Sequence, residues 1–185
     1  YNVYNTSSVG NTIVGSPFND SIFGGTGNDI LKGGLGSNVL TGGGGTDQFI
    51  ITGNDTITDL QGSDIVRVTT SSASVNAKLA ADFTATGSTY NLGSANIDVN
   101  GHNLNLSAVN TITTGTHGIN ISDTGSVGVT IIGTSLAETF LIGNPKDTIW
   151  GGPGGDLFDF NPGTGNSTTF ARIMDFSATV GGDII

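Results

Sequence analysis

The sequence has no cysteine, and only five lysine and arginine residues stand against fifteen acidic ones in 185 residues. Without cysteine, disulfide frameworks and cysteine-ligated zinc or iron–sulfur sites are excluded. The formal net charge of −10 argues against a nucleic acid as partner, because its phosphate backbone is also anionic, and it favours cations. No apolar run approaches the ~18 residues of a membrane-spanning helix, so we expect no membrane insertion.

Catalytic signatures are missing as well. The chain contains no H-E-x-x-H and no G-x-S-x-G sequence, which are the marks of zinc proteases and of many hydrolases. Its glycine-rich turns lack both the third glycine of a dinucleotide fingerprint and the lysine of a phosphate loop. Between residues 67 and 132 the acidic residues are only Asp82, Asp98 and Asp123, with no clustering. We therefore expect no enzyme activity.

The chain is rich instead in glycine and aspartate. It has 31 glycines, Glu138 is its only glutamate, and 35% of its residues are hydrophobic. Aspartate favours turns and disfavours helix interiors, and its carboxylate is a compact oxygen ligand for hard cations. The composition thus predicts strands and turns around a thin core.

A nine-residue repeat organises both ends of the chain. In the first block, an acidic or amide residue recurs every nine positions, at Asn11, Asp20, Asp29, Asn38 and Asp47. An apolar residue follows two positions after each of them. The units read GSPFNDSIF (15–23), GGTGNDILK (24–32), GGLGSNVLT (33–41) and GGGGTDQFI (42–50). The second block reads GTSLAETFL (133–141), IGNPKDTIW (142–150) and GGPGGDLFD (151–159).

These units follow the pattern G-G-x-G-x-D-x-U-x, in which U is apolar, and the pattern is complete at 24–32 and 151–159. The chain thereby resembles the RTX (hemolysin-type) calcium-binding repeat family over residues 6–66 and 133–185. The resemblance implies an all-β fold, a parallel β-roll or β-helix solenoid built on calcium-binding nonapeptides. Two nonapeptides make one coil of such a roll, so vertical neighbours are eighteen residues apart and each unit points one apolar residue inward.

Within that roll, stacked carboxylates would repel unless a cation lies between them, and Ca²⁺ accepts six to eight oxygen ligands in flexible geometry. We expect the strongest site between Asp29 and Asp47. Further ligands are expected from four backbone carbonyls, those of Gly24, Thr26, Gly43 and Gly45.

Two other stacked pairs in the first block have one carboxylate instead of the two in Asp29/Asp47. The pairs Asp20/Asn38 and Asn11/Asp29 predict weaker sites. Alternatively, these turns stack without metal, and Asn11 and Asn38 bond to neighbouring amides.

In the second block the resemblance predicts that Glu138 stacks with Asp156 and that Asp147 faces the other side. Glu138 has the right charge but a longer side chain, in a unit that lacks the second glycine. The two blocks close alike, and the corresponding acids are Asp59 with Asp175 and Asp64 with Asp183. These closures either supply a terminal calcium ligand or form solvated capping turns.

The chain divides into three predicted parts: a first roll at 1–66, a Thr/Asn-rich β segment at 67–132, and a second roll block at 133–185 that breaks off within a strand-like run. Residues 74–83 have helical spacing and predict a short helix or loop. Alternating apolar residues over 90–132 predict short half-buried strands. These form either irregular solenoid coils or a small antiparallel sandwich inserted between the rolls.

The resemblance implies a secreted bacterial protein exported by type I secretion that folds on meeting extracellular calcium. The Thr/Asn/Gly-rich style is similar to that of surface-layer proteins and large secreted adhesins, which implies a structural module at the cell surface. Its partners would be calcium ions, with copies of itself or cell-surface polysaccharide as further partners. The alternatives are an RTX module attached to a secreted enzyme or toxin, and a carbohydrate-binding module.

Overall fold

The computed structural model describes residues 1–110, 118–143, 146–160, 171–179 and 182–185. Strands alternate between two columns as the chain winds. The odd-numbered strands are β1 (Asn2–Tyr4), β3 (Ser21–Gly25), β5 (Val39–Gly43), β7 (Asn54–Gly62), β9 (Ser74–Thr84), β11 (Ser94–Asp98), β13 (Ile119–Ser122), β15 (Glu138–Ile142) and β17 (Leu157–Phe160). The even-numbered strands are β2 (Thr12–Val14), β4 (Ile30–Lys32), β6 (Gln48–Ile51), β8 (Ile65–Val68), β10 (Tyr90–Asn91), β12 (Leu104–Asn105), β14 (Thr130–Ile132), β16 (Thr148–Trp150) and β18 (Arg172–Ile173).

These strands wind into a parallel β-solenoid of about 8 turns, which confirms the predicted fold class. The odd strands pair in sequence order from β1 to β17. On the other side, β2 to β10 form a separate five-stranded sheet, and β12 to β18 pair in a second series. The long strand β9 pairs with β7, β11 and β12 and so joins the two parts of the solenoid.

The register follows the nonapeptide. Ile22 pairs with Leu40 and Leu31 with Phe49, each eighteen residues further along. In the second block Phe140 pairs with Phe158 in the same way, and their rings stack with centroids 5.1 Å apart. Each of these inward residues is at most 1% exposed. One apolar residue per unit therefore builds the predicted thin core.

The segment at 74–83 is not a helix or loop, and that prediction is wrong. It forms β9, in which Val75, Ala77 and Leu79 are buried while Asn76 and Lys78 between them are exposed. The alanines raise helix propensity, but the apolar residues also alternate with period two. The strand edges of β7 and β11 give that alternation hydrogen-bond partners, and tertiary pairing overrides the local preference.

Strands β11 to β14 lie in the middle segment, and every pairing described for them is parallel. They connect β9 on one side with β15 and β16 on the other. The division of the chain into three domains remains a prediction. Among the described residues, no helix has the length and apolarity to cross a membrane.

Candidate metal centre

The turns on one side of the first block bring four residues, Asn11, Asp29, Asp47 and Asp64, into a vertical series that we call the first column. The backbone N–H of Asn11 donates to Oδ1 of Asp29 at 2.7 Å, and that of Asp29 to Oδ1 of Asp47 at 2.8 Å. The N–H of Asp47 donates to Oδ1 of Asp64 at 2.8 Å. Each carboxylate thus uses one oxygen to hold the preceding coil, and Asp29 and Asp47 lie on adjacent coils as the repeat predicts.

The second carboxylate oxygens of Asp29 and Asp47 lack a hydrogen-bond donor. Oδ2 of Asp29 and Oδ2 of Asp47 are buried and have no hydrogen-bond partner. Both residues are 1% exposed. Burial raises the pKa of Asp47 to about 6. Burying a carboxylate oxygen without a donor costs free energy. A cation bound to these two oxygens would offset that cost.

The first glycine of each unit gives the carboxylate its space. A Cβ added at Gly42 would collide with Oδ2 of Asp47, and one at Gly24 would lie 2.7 Å from Oδ2 of Asp29. In the second block, a Cβ at Gly151 would collide with Oδ2 of Asp156. Any larger residue there would push the carboxylate out of the turn.

Two of the four predicted carbonyl ligands already accept side-chain amides. Asn5 Nδ2 donates to the carbonyl of Gly24, and Gln61 Nε2 donates to that of Gly43 at 2.7 Å. A carbonyl oxygen has two lone pairs, so both remain able to bind a cation. The carbonyls of Thr26 and Gly45, which we also proposed, belong to the same two stacked turns, 24–32 and 42–50.

On the opposite side Asp20, Asn38 and Asp55 form the second column. The N–H of Asp20 donates to Oδ1 of Asn38 at 2.9 Å, and Asn38 Nδ2 donates to Oδ1 of Asp55 at 2.7 Å. The Asp20 carboxylate accepts the N–H and the hydroxyl of Ser16. The Asn38 amide therefore bonds to its neighbours, as in the metal-free alternative for this step.

Asp55 is a buried carboxylate that the nine-residue spacing did not identify. It is fully buried, and its Oδ2 has no hydrogen-bond partner. It follows Asn38 after seventeen residues instead of eighteen, as Asp64 follows Asp47. A search that allowed a one-residue deletion at the end of the block would have found it.

In the second block the N–H of Glu138 donates to Oδ1 of Asp156 at 2.9 Å, so the two acids lie on adjacent coils. Burial raises the pKa of Asp156 to about 6 and that of Glu138 to about 7. Oδ2 of Asp156 has no hydrogen-bond partner, whereas both oxygens of Glu138 accept hydrogen bonds from Thr134. Asp147 lies in the other series, where its Oδ1 accepts the N–H of Val129 at 3.2 Å. Burial raises its pKa to about 6.

The closing acids of both blocks act as caps. The two oxygens of Asp59 accept the N–H groups of Gly42 and Gly43, and those of Asp175 accept the N–H groups of Gly151 and Gly152.

The next acid in each closure also makes matching bonds. Asp64 holds the N–H of Asp47 and of Gln61, and Asp183 holds those of Asp156 and Ser177. These four carboxylates therefore have protein donors on both oxygens.

The donor set fits a hard cation. In the part of the chain that the structure describes, no three histidine or acidic side chains form a metal-binding group, so backbone carbonyls must supply most ligands. Carboxylate and carbonyl oxygens are what Ca²⁺ binds, while Mg²⁺ needs tighter octahedral sites and keeps several waters. The unpartnered oxygens of Asp29, Asp47 and Asp156 mark the positions where such an ion would be held.

Comparison with known families agrees with this geometry. The model of the RTX calcium-binding nonapeptide repeat matches four copies over residues 14–49 and 52–67. No curated protein and no solved structure matches the chain significantly. The coils at residues 14–49 and 52–67 therefore belong to the RTX calcium-binding nonapeptide repeat family, and the chain contains a calcium-binding structural module with a β-roll fold.

Proposed function

We propose that this chain is a structural module of a secreted or cell-surface bacterial protein, of the surface-layer or adhesin type, whose folding is coupled to extracellular calcium. The observation that carries the proposal is the pair of buried, unpartnered carboxylate oxygens on Asp29 and Asp47 in adjacent coils. They make the roll dependent on an ion that is scarce inside cells and abundant outside.

The energetic argument starts from the thin core. Ordering a residue's backbone costs about 1–2 kcal/mol, and most of the nonapeptides bury a single inward apolar side chain, such as Leu40 or Phe49. Desolvating Asp29 and Asp47 adds a further cost. When bound, Ca²⁺ supplies positive charge and ligand bonds to these oxygens. Because the site exists only when the coils are stacked, metal binding and folding become one equilibrium.

Each part of the turn has a role in holding the ion. Asp47 Oδ1 fixes the register of the coils through the N–H of Asp29, which leaves Oδ2 for the ion. Gly42 leaves room for that oxygen. Asp59 closes the turn through the N–H groups of Gly42 and Gly43.

Circular dichroism of the full chain, in chelator and then with added calcium, tests the coupling. We expect strand signal to appear with calcium in a saturable, cooperative way and to be lost again on chelation. A strand signal that is the same in both conditions would contradict the proposal. For the cell-surface role, electron microscopy should show ordered assemblies that require calcium, and a chain that stays monomeric would contradict a surface layer.

A second candidate function, binding of a neutral polysaccharide, is favoured by one surface feature. On the exposed face of β9, β11 and β13, three asparagines form a hydrogen-bonded ladder. Asn96 Nδ2 donates to Asn76 and Asn120 Nδ2 donates to Asn96, each at 2.8 Å. The ladder borders a groove of about 340 Å³, whose polar lining residues are Thr56, Thr58, Asn76, Lys78, Asn96, Asp98 and Ser122.

Fixed amides and hydroxyls in a groove of this size can orient the hydroxyl groups of a sugar. The test is binding of the calcium-loaded chain to neutral oligosaccharides by calorimetry. We expect Asn96→Ala to abolish binding and Gln48→Ala, an amide on the five-stranded sheet, to leave it unchanged. Equal binding by both variants would exclude this groove.

A further inference from the structure

The second residue of the nonapeptide differs among the units that carry a carboxylate. Five units with an acidic sixth residue are fully described. Three have glycine at the second position, namely Gly25, Gly43 and Gly152, and two have a hydroxyl residue, Ser16 and Thr134. The state of the carboxylate follows this difference in both blocks.

In the two hydroxyl units the carboxylate is capped by its own turn. The N–H of Thr134 donates to Oε2 of Glu138 at 3.0 Å, and its hydroxyl donates to Oε1. In the same way, Ser16 donates its N–H to Oδ2 of Asp20 at 2.5 Å and its hydroxyl at 2.9 Å. Neither residue has a positive φ.

In the three glycine units one carboxylate oxygen is left without a partner, on Asp29, Asp47 and Asp156. The glycines have φ of 117°, 96° and 97° at Gly25, Gly43 and Gly152, a region that residues with a Cβ rarely adopt.

This backbone conformation changes what the second N–H binds. At Gly43 and Gly152 it donates to the closing acids Asp59 and Asp175 instead of to the carboxylate of its own unit. The turn's own carboxylate thereby loses a donor, and one of its oxygens becomes available to a cation.

From this we infer that the second residue of each unit decides whether its carboxylate binds calcium. Glycine leaves the carboxylate open to the ion, whereas serine or threonine caps it and makes a metal-free turn. The inference rests on the proposed coupling of folding to calcium, and it adds which turns bind the ion. Asp29, Asp47 and Asp156 are then calcium ligands, and Asp20 and Glu138 are not.

The capped turns have enough donors of their own. The N–H and O–H groups of Thr134 and Ser16 occupy lone pairs of these carboxylates that a cation would otherwise use, so Asp20 and Glu138 have partners without an ion. In each block the first unit with an acidic sixth residue is the capped one, at 15–23 and 133–141. Each block therefore begins with a calcium-independent turn and adds calcium-dependent turns after it.

The test is Thr134→Gly in the full chain, with Thr134→Ser as the matched control that keeps the hydroxyl and the N–H. Calcium binding is measured by calorimetry and native mass spectrometry, and the calcium midpoint of folding by circular dichroism. We expect Thr134→Gly either to bind one more ion than the wild type or to fold at a several-fold lower calcium concentration, because the Glu138 carboxylate is released beside Asp156. Thr134→Ser should behave as the wild type.

If Thr134→Gly binds the same number of ions at the same midpoint as the wild type, the inference is wrong. Should that variant fail to fold, Ser16→Gly decides. Its melting temperature should fall more at a calcium concentration just above the folding midpoint than at saturating calcium, because the released Asp20 carboxylate gains a cation only when calcium is plentiful; equal falls would overturn the inference. A wild-type chain that folds without calcium would instead defeat the proposed function, so the two failures are distinguishable.

Discussion

The backbone N–H of Asp29 donates to Oδ1 of Asp47 on the next coil at 2.8 Å, while Oδ2 of each carboxylate is buried without a partner. One oxygen therefore serves the register of the roll, and the other is left for an ion.

Because the two oxygens of Asp47 have different roles, one substitution should have opposite effects on stability with and without calcium. Asp47→Asn keeps an oxygen for the Asp29 N–H and removes the charge. In chelator we expect folding of the variant to be less unfavourable than that of the wild type, by about 1–3 kcal/mol, because a buried unsatisfied charged group is lost. In calcium the variant should be less stable than the wild type, because a ligand is lost. Residual strand signal by circular dichroism in chelator and thermal unfolding in calcium measure these opposite effects.

The control for these opposite effects is Asp159→Asn, an acid in an exposed position of the same nonapeptide pattern. We expect it to change neither the strand signal in chelator nor the melting temperature in calcium. If Asp47→Asn lowers the melting temperature in calcium without any gain of strand signal in chelator, the carboxylate is needed for packing alone.

The pH dependence without calcium should run in an unusual direction. Burial raises the pKa of Asp47 and Asp156 to about 6 and that of Asp64 and Glu138 to about 7, above the value near 4 of unfolded acids. Between about pH 4 and 7 the folded state thus binds more protons than the unfolded state. The free energy of unfolding therefore falls as pH rises through this window.

The measurement is the strand signal by circular dichroism in calcium-depleted buffer at pH 5 and pH 7.5, which should be larger at pH 5. Saturating calcium should remove or reverse the difference, because the ion competes with protons for the same oxygens. A strand signal that rises with pH in the absence of calcium would contradict the burial of these acids.

The first glycine of the unit should be sensitive for steric reasons. A Cβ at Gly42 would collide with the Asp47 carboxylate and lie close to the ring of Phe49, so Gly42→Ala should raise the calcium midpoint of folding. Gly87 has no atom within 4 Å of a built Cβ. Gly87→Ala should be neutral, or stabilising by about 0.4–1 kcal/mol through the unfolded state. Calcium titrations of the two variants compare them directly, and equal midpoints would refute the steric argument.

The aromatic stack of the second block should carry much of its stability. Phe158 is fully buried and stacks on Phe140 with centroids 5.1 Å apart. Phe158→Ala should cost about 3–5 kcal/mol in calcium. Leu157→Ala, at a neighbouring position that is 38% exposed, should cost far less. Chemical denaturation of both variants provides the comparison, and similar losses would mean that the core of this block is not packed around Phe158.

The nonapeptide repeat, through the family resemblance that it carries, predicts the parallel fold, the inward residues and the stacking of Asp29 on Asp47. It failed at Asp55, where the repeat shortens by one residue between coils. It also failed at β9, because alanines favour a helix locally and only pairing with β7 and β11 favours a strand.

The capping of Asp20 and Glu138 could not be predicted from their charge. It depends on the backbone conformation that Ser16 and Thr134 impose on the turn and on the direction of their N–H groups. The sequence shows these residues only as departures from the repeat. That they donate hydrogen bonds to the carboxylates of Asp20 and Glu138 follows only from the partners of each carboxylate oxygen in the structure.

The arrangement of strands around β9 has a mechanical consequence. Among the described strands, the five-stranded sheet ends at β10, and β9 alone pairs with β7 below it and with both β11 and β12 above it. Both series of paired strands therefore meet on β9, and beside β10 the N–H of Asn110 adds a bond to the carbonyl of Thr89. A substitution that distorts β9 should weaken both series at once, and with them the resistance of the solenoid to tension along its axis.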